Sequence, residues 1–235
     1  MKPIHNEIPR HLQEILWQMN SDAAKLKSDG YVSEGWIPQL WIWDSIQNAE
    51  NKGIISPGQK VLELGSGDGS VLMVWTYKGY DVTGIEIQPA LARYSIEALS
   101  KHKKLLANPR ARIIEGSYYP QEYLEYREAN PMSDSIVLEE RLLSERRYTP
   151  SDCPYLMIRC CEDVYEKHNF SLRDFDIFYA YLYSSQIPSV ADIFKRYAKY
   201  DAKLFLVTDD SEAQEIAPQL GLKQHPESHQ FFTKR

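Results

Sequence analysis

The sequence predicts an α/β fold, a doubly wound and mostly parallel seven-strand sheet with helices on both faces. Three observations predict it. First, the apolar run Val61-Leu62 leads straight into Glu63-Leu64-Gly65-Ser66-Gly67-Asp68-Gly69 and then into a helix-compatible stretch that stops at Gly79. A strand, a tight glycine turn and a helix in that order are the layout of a nucleotide-binding βαβ unit. Second, strand-like and helix-like segments alternate from Lys60 onward, which calls for a parallel sheet covered on both faces. Third, 43% hydrophobic and 26% charged residues over 235 positions suit a globular chain with a sizeable core.

Taken in order, Pro9 to Lys27 places Leu12, Ile15, Leu16, Met19, Ala23 and Leu26 at helical spacing, with Gly30 as terminator. A second helical stretch runs to about Asn51, and Ser56-Pro57-Gly58 closes this portion as a turn. Residues 1–55 are therefore expected to form an N-terminal helical cap on a domain spanning 56–235. Within that domain strand one is expected at 60–64, a helix at 68–78, strand two at 81–87 and a helix from Pro89 to Lys103. Pro89 suits a first-turn position. Strand three is expected at 111–115, strand four at 176–182 and strand five at 203–208. A helix opened by Pro188 separates the last two. A helix over 211–220, a short strand near Leu222 and a last strand at 230–233 complete the count. About sixty residues separate strands three and four, where one helix would suffice. Residues 120–170 are expected to be an insertion: a substrate lid, a structural elaboration or a dimer contact.

The glycine turn has the spacing Gly-x-Gly-x-Gly with an acid two residues before it, unlike the Gly-x-Gly-x-x-Gly of dinucleotide binders. Glu86 closes the second strand, where a carboxylate beside the turn can accept hydrogen bonds from both hydroxyls of a ribose. Ala111-Arg112-Ile113-Ile114-Glu115-Gly116-Ser117 is placed to be strand three. With these residues the chain resembles the class I, seven-strand, Rossmann-like methyltransferases that use S-adenosylmethionine. Glu63–Gly69 matches that family's first motif and Glu86 its second. The likeness runs from about Gln59 to the C-terminus and is specific for fold and cofactor, not for the methyl acceptor.

The resemblance implies roles. The main chain of Gly65, Ser66, Gly67, Asp68 and Gly69 would let the methionine moiety approach, Glu63 would help hold its amino end, and Glu86 would hold the ribose. Ile87 would pack on the adenine. Ser117 stands where the family often has an Asp for the adenine amino group, so the Ser117 hydroxyl or the main chain of Tyr118 would substitute. After strand four the chain has Tyr179-Ala180-Tyr181-Leu182-Tyr183, not the Asn/Asp-Pro-Pro-Tyr of enzymes acting on adenine or glutamine amides. Tyr181 is the candidate to orient an acceptor or meet a cation, the alternative being that all three tyrosines are ordinary strand aromatics. Trp36 and Pro38 either line the cleft or pack helices on the sheet. The tyrosines and the Trp-Ile-Pro element are distantly similar to the lysine-directed enzymes of the family, which implies a protein lysine amine as acceptor, with a small molecule as the alternative.

Composition sets limits. A net charge of −6 argues against sequence-independent binding along duplex nucleic acid. The basic group Lys101, His102, Lys103, Lys104, Arg110 and Arg112 suits a helix C-terminus, or else an anionic partner. No apolar stretch approaches a membrane span, and the N-terminus lacks a secretory apolar core, so a cytoplasmic location is expected. Cys153, Cys160 and Cys161 lack metal-type spacing, as do the six histidines; the cysteines read as reduced thiols, and no metal is expected. Two rival classes remain: an NAD-linked oxidoreductase, disfavoured by the glycine spacing, and a non-catalytic cofactor-binding protein.

Overall fold

A computed structural model of the chain describes residues 8–28, 39–106, 110–145, 162–182, 184–207 and 212–234. They fall into two compact units, Met1–Glu115 and Gly116–Arg235. In the first unit α1 (Arg10–Ser28) and α2 (Gln39–Asn51) precede β1 (Lys60–Leu64), α3 (Ser70–Tyr77), β2 (Asp81–Glu86), α4 (Pro89–His102) and β3 (Arg112–Glu115). The second holds α5 (Gln121–Ala129), α6 (Asp134–Glu145), α7 (Val164–Lys167), β4 (Ile177–Tyr181), α8 (Ile187–Tyr197), β5 (Lys203–Val207), α9 (Glu212–Gln219), β6 (Leu222–His225) and β7 (Ser228–Lys234). Seven strands make one mixed sheet in the order β3-β2-β1-β4-β5-β7-β6. The ladders β1–β2, β2–β3 and β4–β5 are parallel, and β7 runs antiparallel to both β5 and β6.

In the first unit the strands are continuous apolar runs because both faces are covered. Val61, Leu62, Leu64, Val82 and Ile85 are all buried. Helix α3 is apolar on every side and buried from Ser70 to Thr76, with Trp75 edge-on to Tyr80 at 4.8 Å. It starts at Ser70, two residues later than the sequence suggests. Asp68 accepts from the Ser70 backbone N–H and hydroxyl, which makes it a cap on the helix and leaves it outside the helical turn. The stripe Leu12, Ile15, Leu16, Met19 and Ala23 buries α1, and the Tyr94 hydroxyl on α4 donates to the Met19 carbonyl. Helix α2 is pinned through Glu50, which accepts from Lys78 Nζ at 2.8 Å and from the Tyr80 hydroxyl at 3.0 Å. The Lys78 ammonium also lies over the Trp43 ring. Lys101 and His102 occupy the last turn of α4, where cations complement the helix dipole.

In the second unit β4 and β5 pack a stack of rings, Phe175, Phe178 and Phe194 on one run and Tyr179, Phe205 and Phe231 on another. Between β3 and β4 the chain forms α5, α6 and α7. Arg127 on α5 donates to Glu139 on α6 at 2.5 Å and to the Ser189 hydroxyl on α8 at 2.6 Å, all buried. Residues 121–145 are thus bound into the body of this unit by a charged, desolvated joint. The second of these helices, α6, begins at Asp134. The last strand is longer than expected because β6 and β7 form a hairpin around Pro226 and Glu227, with a register shift at Gln224/His225.

Candidate functional site

The turn after β1 is built by main-chain bonds to its neighbour. Gly65 and Ser66 N–H both donate to the Ile85 carbonyl of β2, at 2.9 and 3.0 Å, and Gly69 N–H closes onto the Ser66 carbonyl at 2.9 Å. Gly65 and Gly67 lie at φ +79° and +55°, and a Cβ on either would meet nothing within 4 Å. Their glycines therefore answer to backbone conformation, and open space stands above the main chain. Gly84 of β2 has the opposite reason. It pairs with Glu63 in the ladder, and a Cβ there would lie 2.7 Å from both Leu72 Cδ1 and Ser66 Cβ. The turn and α3 can sit on the sheet only because that strand residue has no side chain. Sequence reading assigned Gly84 no role, although an isolated glycine inside a strand is itself a signal of close approach.

Three acids surround this turn: Glu63, Asp68 and Glu86 are 2%, 8% and 4% exposed. Glu86 ends its strand and is buried. Its Oε2 accepts from Gly67 N–H at 2.7 Å and its Oε1 from Gln88 N–H at 2.8 Å. Asp68 Oδ1 holds the start of α3. By contrast Glu63 Oε2, Asp68 Oδ2 and Ser66 Oγ are buried without a hydrogen-bond partner. Burial holds the Glu63 carboxyl well above the ordinary carboxylate range, and the charges of Asp68 and Glu86 push it further the same way. Burial also raises Asp68 and Glu86, against the lowering effect of their hydrogen bonds. Buried carboxylate oxygens with no donor are costly. A ligand that brings positive charge or N–H groups to the turn removes that cost.

The other residues singled out in the sequence fall as follows. Ile87 is half-buried directly after Glu86. Ser117 and Tyr118 belong to the second unit. The buried Ser117 hydroxyl accepts from Tyr119 N–H at 3.1 Å. The Tyr118 ring stacks on Tyr119 at 4.8 Å, and its carbonyl accepts from the Tyr165 hydroxyl. Tyr181 is half-buried at the C-terminal end of β4, whereas Tyr179 is a core residue set edge-on to Phe205. Tyr183, Trp36, Pro38 and the three cysteines lie outside the described residues. Among the described residues there is no cluster of His, Cys, Asp and Glu able to hold a metal ion, and no helix long and apolar enough to cross a membrane.

The fold is that of an open α/β sheet with a glycine turn and two strand-end acids at the carboxyl edge of its first two strands. No protein-family model matches the chain, and no curated protein matches it. Among solved structures it is similar to an RNA methyltransferase from Salinibacter ruber in complex with S-adenosyl-L-homocysteine, at 13% identity over 74% of this chain and 79% of that one, TM-score 0.43. It is similar to a TehB-like SAM-dependent methyltransferase from Corynebacterium glutamicum, at 16% identity over 97% and 100% of the two chains, TM-score 0.42. A third is a precorrin-6y C5,15-methyltransferase from Geobacter metallireducens, at 13% identity over 82% and 75%, TM-score 0.46. Likenesses so distant carry no argument about the site, which stands on its own residues.

Proposed function

We propose that the protein is an S-adenosylmethionine-dependent methyltransferase whose cofactor sits on the Gly65–Gly69 turn. One observation carries the reading: Glu63 Oε2 and Asp68 Oδ2 are buried, without hydrogen-bond partners, beside a main chain left open by Gly65 and Gly67. A ligand bearing an ammonium and a sulfonium satisfies such oxygens. A dinucleotide would bring a pyrophosphate to the same turn, against three buried acids, so the charge of the site disfavours the NAD reading.

The residues fit the group. A carboxylate has about four acceptor positions. Glu86 accepts from the Gly67, Gln88 and Ile87 N–H groups, and the acceptor capacity left over would face the ribose hydroxyls. Glu63 would hold the amino end, and Ile87 would pack against the adenine. When bound, the cofactor supplies an activated methyl group for in-line displacement. The chain's own task is to fix donor against acceptor and to exclude water. An amine acceptor would present its lone pair to that methyl group and give up its proton to solvent.

For the acceptor we propose a protein lysine amine. The acidic chain disfavours duplex nucleic acid. The test is incubation of purified protein with radiolabelled methyl donor and fractionated extract of its source cells. Label in a protein band that survives as methyllysine after hydrolysis is the expected result. Label confined to the small-molecule fraction replaces lysine by a small acceptor.

A further inference from the structure

We propose that Ser95, on α4, is a positioning residue that sets the shape of the cofactor turn; the part that concerns cofactor rests on the methyltransferase reading above. A serine inside a helix ordinarily donates to the carbonyl four residues back. Ser95 Oγ does lie 2.8 Å from the Leu91 carbonyl, but it lies equally close, 2.8 Å, to the carbonyl of Gly67, twenty-eight residues away. The hydroxyl has a single hydrogen, shared between the two. Gly67 is thereby held at both of its peptide groups: its N–H by the Glu86 carboxylate on β2, its carbonyl by Ser95 on α4. These bonds flank the two soft dihedrals of a glycine, the residue type with the greatest conformational freedom.

The same side chain is gauged for size. Ser95 is fully buried, and a Cβ placed on Gly69 would stand 3.0 Å from Ser95 Cβ and 3.2 Å from its hydroxyl. The turn therefore rests on Ser95 at Gly69 and is bonded to it at Gly67. Because Glu86 is tied to the same glycine, a turn released from α4 also releases the carboxylate assigned to the ribose. Ser95 touches no reacting atom. Its contribution is to keep the turn in its binding shape before a ligand arrives, which spares the cost of ordering it at that moment.

The test uses the full chain with Ser95→Ala and Ser95→Thr, the second keeping the hydroxyl. In ligand-free protein, Ser95→Ala is expected to speed amide exchange over residues 65–69 by about tenfold. Exchange at Ala98 and Leu99, farther along α4, stays at the parent rate. Affinity for S-adenosylhomocysteine, measured by calorimetry, is expected to fall by about twofold to tenfold, the scale of one hydrogen bond. Ser95→Thr is expected to recover both. Unchanged exchange at 65–69 overturns the proposal. So does an acceleration shared equally by all of α4, which would make Ser95 a packing residue only. Parent protein that takes no S-adenosylhomocysteine refutes the cofactor reading instead, and the exchange arm still decides whether Ser95 holds the turn.

Discussion

Glu86 shows how one side chain can serve structure and ligand together. It fastens Gly67 and caps the approach to α4 through Gln88, and it is the residue proposed above to hold a ribose. Glu86→Gln preserves its shape and removes its charge. The fold should persist by circular dichroism, and cofactor affinity should fall by about 1–3 kcal/mol, the range for charge-assisted hydrogen bonds. An unchanged affinity by calorimetry would place the ribose elsewhere. Glu63 yields a pH prediction. A carboxyl held above its ordinary value of 4.5 binds a proton more tightly in the folded chain than in the unfolded one. Its contribution to stability is complete below that ordinary value and is lost as pH rises through the elevated one. Glu63→Gln cannot ionise, so ligand-free variant should melt above the parent by a margin that widens as pH rises above the ordinary value of 4.5. A constant margin in thermal melts would show that Glu63 ionises in the folded protein as readily as in water.

At the scale of elements, the contact between β2 and the turn admits no Cβ. Gly84→Ala is expected to destabilise the protein by about 1–3 kcal/mol, as overpacking does, and to lower the denaturant midpoint in proportion. A neutral outcome would mean that Ser66 and Leu72 move aside at no cost. The joint among α5, α6 and α8 is charged and dry. Arg127→Ala leaves Glu139 buried without its counter-charge, so a loss of about 3–5 kcal/mol is expected, with recovery when Glu139→Leu is added to Arg127→Met. Equal losses in the single and double variants, read from denaturant curves, would contradict that account. These elements also show what the chain discloses in one dimension. The βαβ unit was legible because glycines, strand-end acids and apolar runs are local features. The start of α3 was misjudged by two residues because Asp68 caps a helix that its composition would have joined. Ser95 and the Arg127–Glu139–Ser189 joint were invisible, since each depends on a partner far along the chain that no spacing rule connects, whereas Gly84, an isolated glycine in a strand, signalled a close approach without naming what approaches.

For the whole molecule, the claim is that one edge of an α/β sheet is charged to receive a cation-bearing adenosyl cofactor. Its force lies in a conflict of signs. A glycine turn at the start of a helix suits anions, yet this one is ringed by Glu63, Asp68 and Glu86, two of them with an oxygen left unpaired. A cationic or donor-rich ligand would reconcile those facts, as proposed above. The most direct measurement is titration calorimetry of the full chain with S-adenosylmethionine, S-adenosylhomocysteine and NAD under the same conditions. The account predicts saturable, one-to-one binding of the two adenosyl compounds, with both weakened by Glu63→Gln, and no heat of binding for NAD. Saturable binding of NAD with none for S-adenosylmethionine or S-adenosylhomocysteine would contradict it.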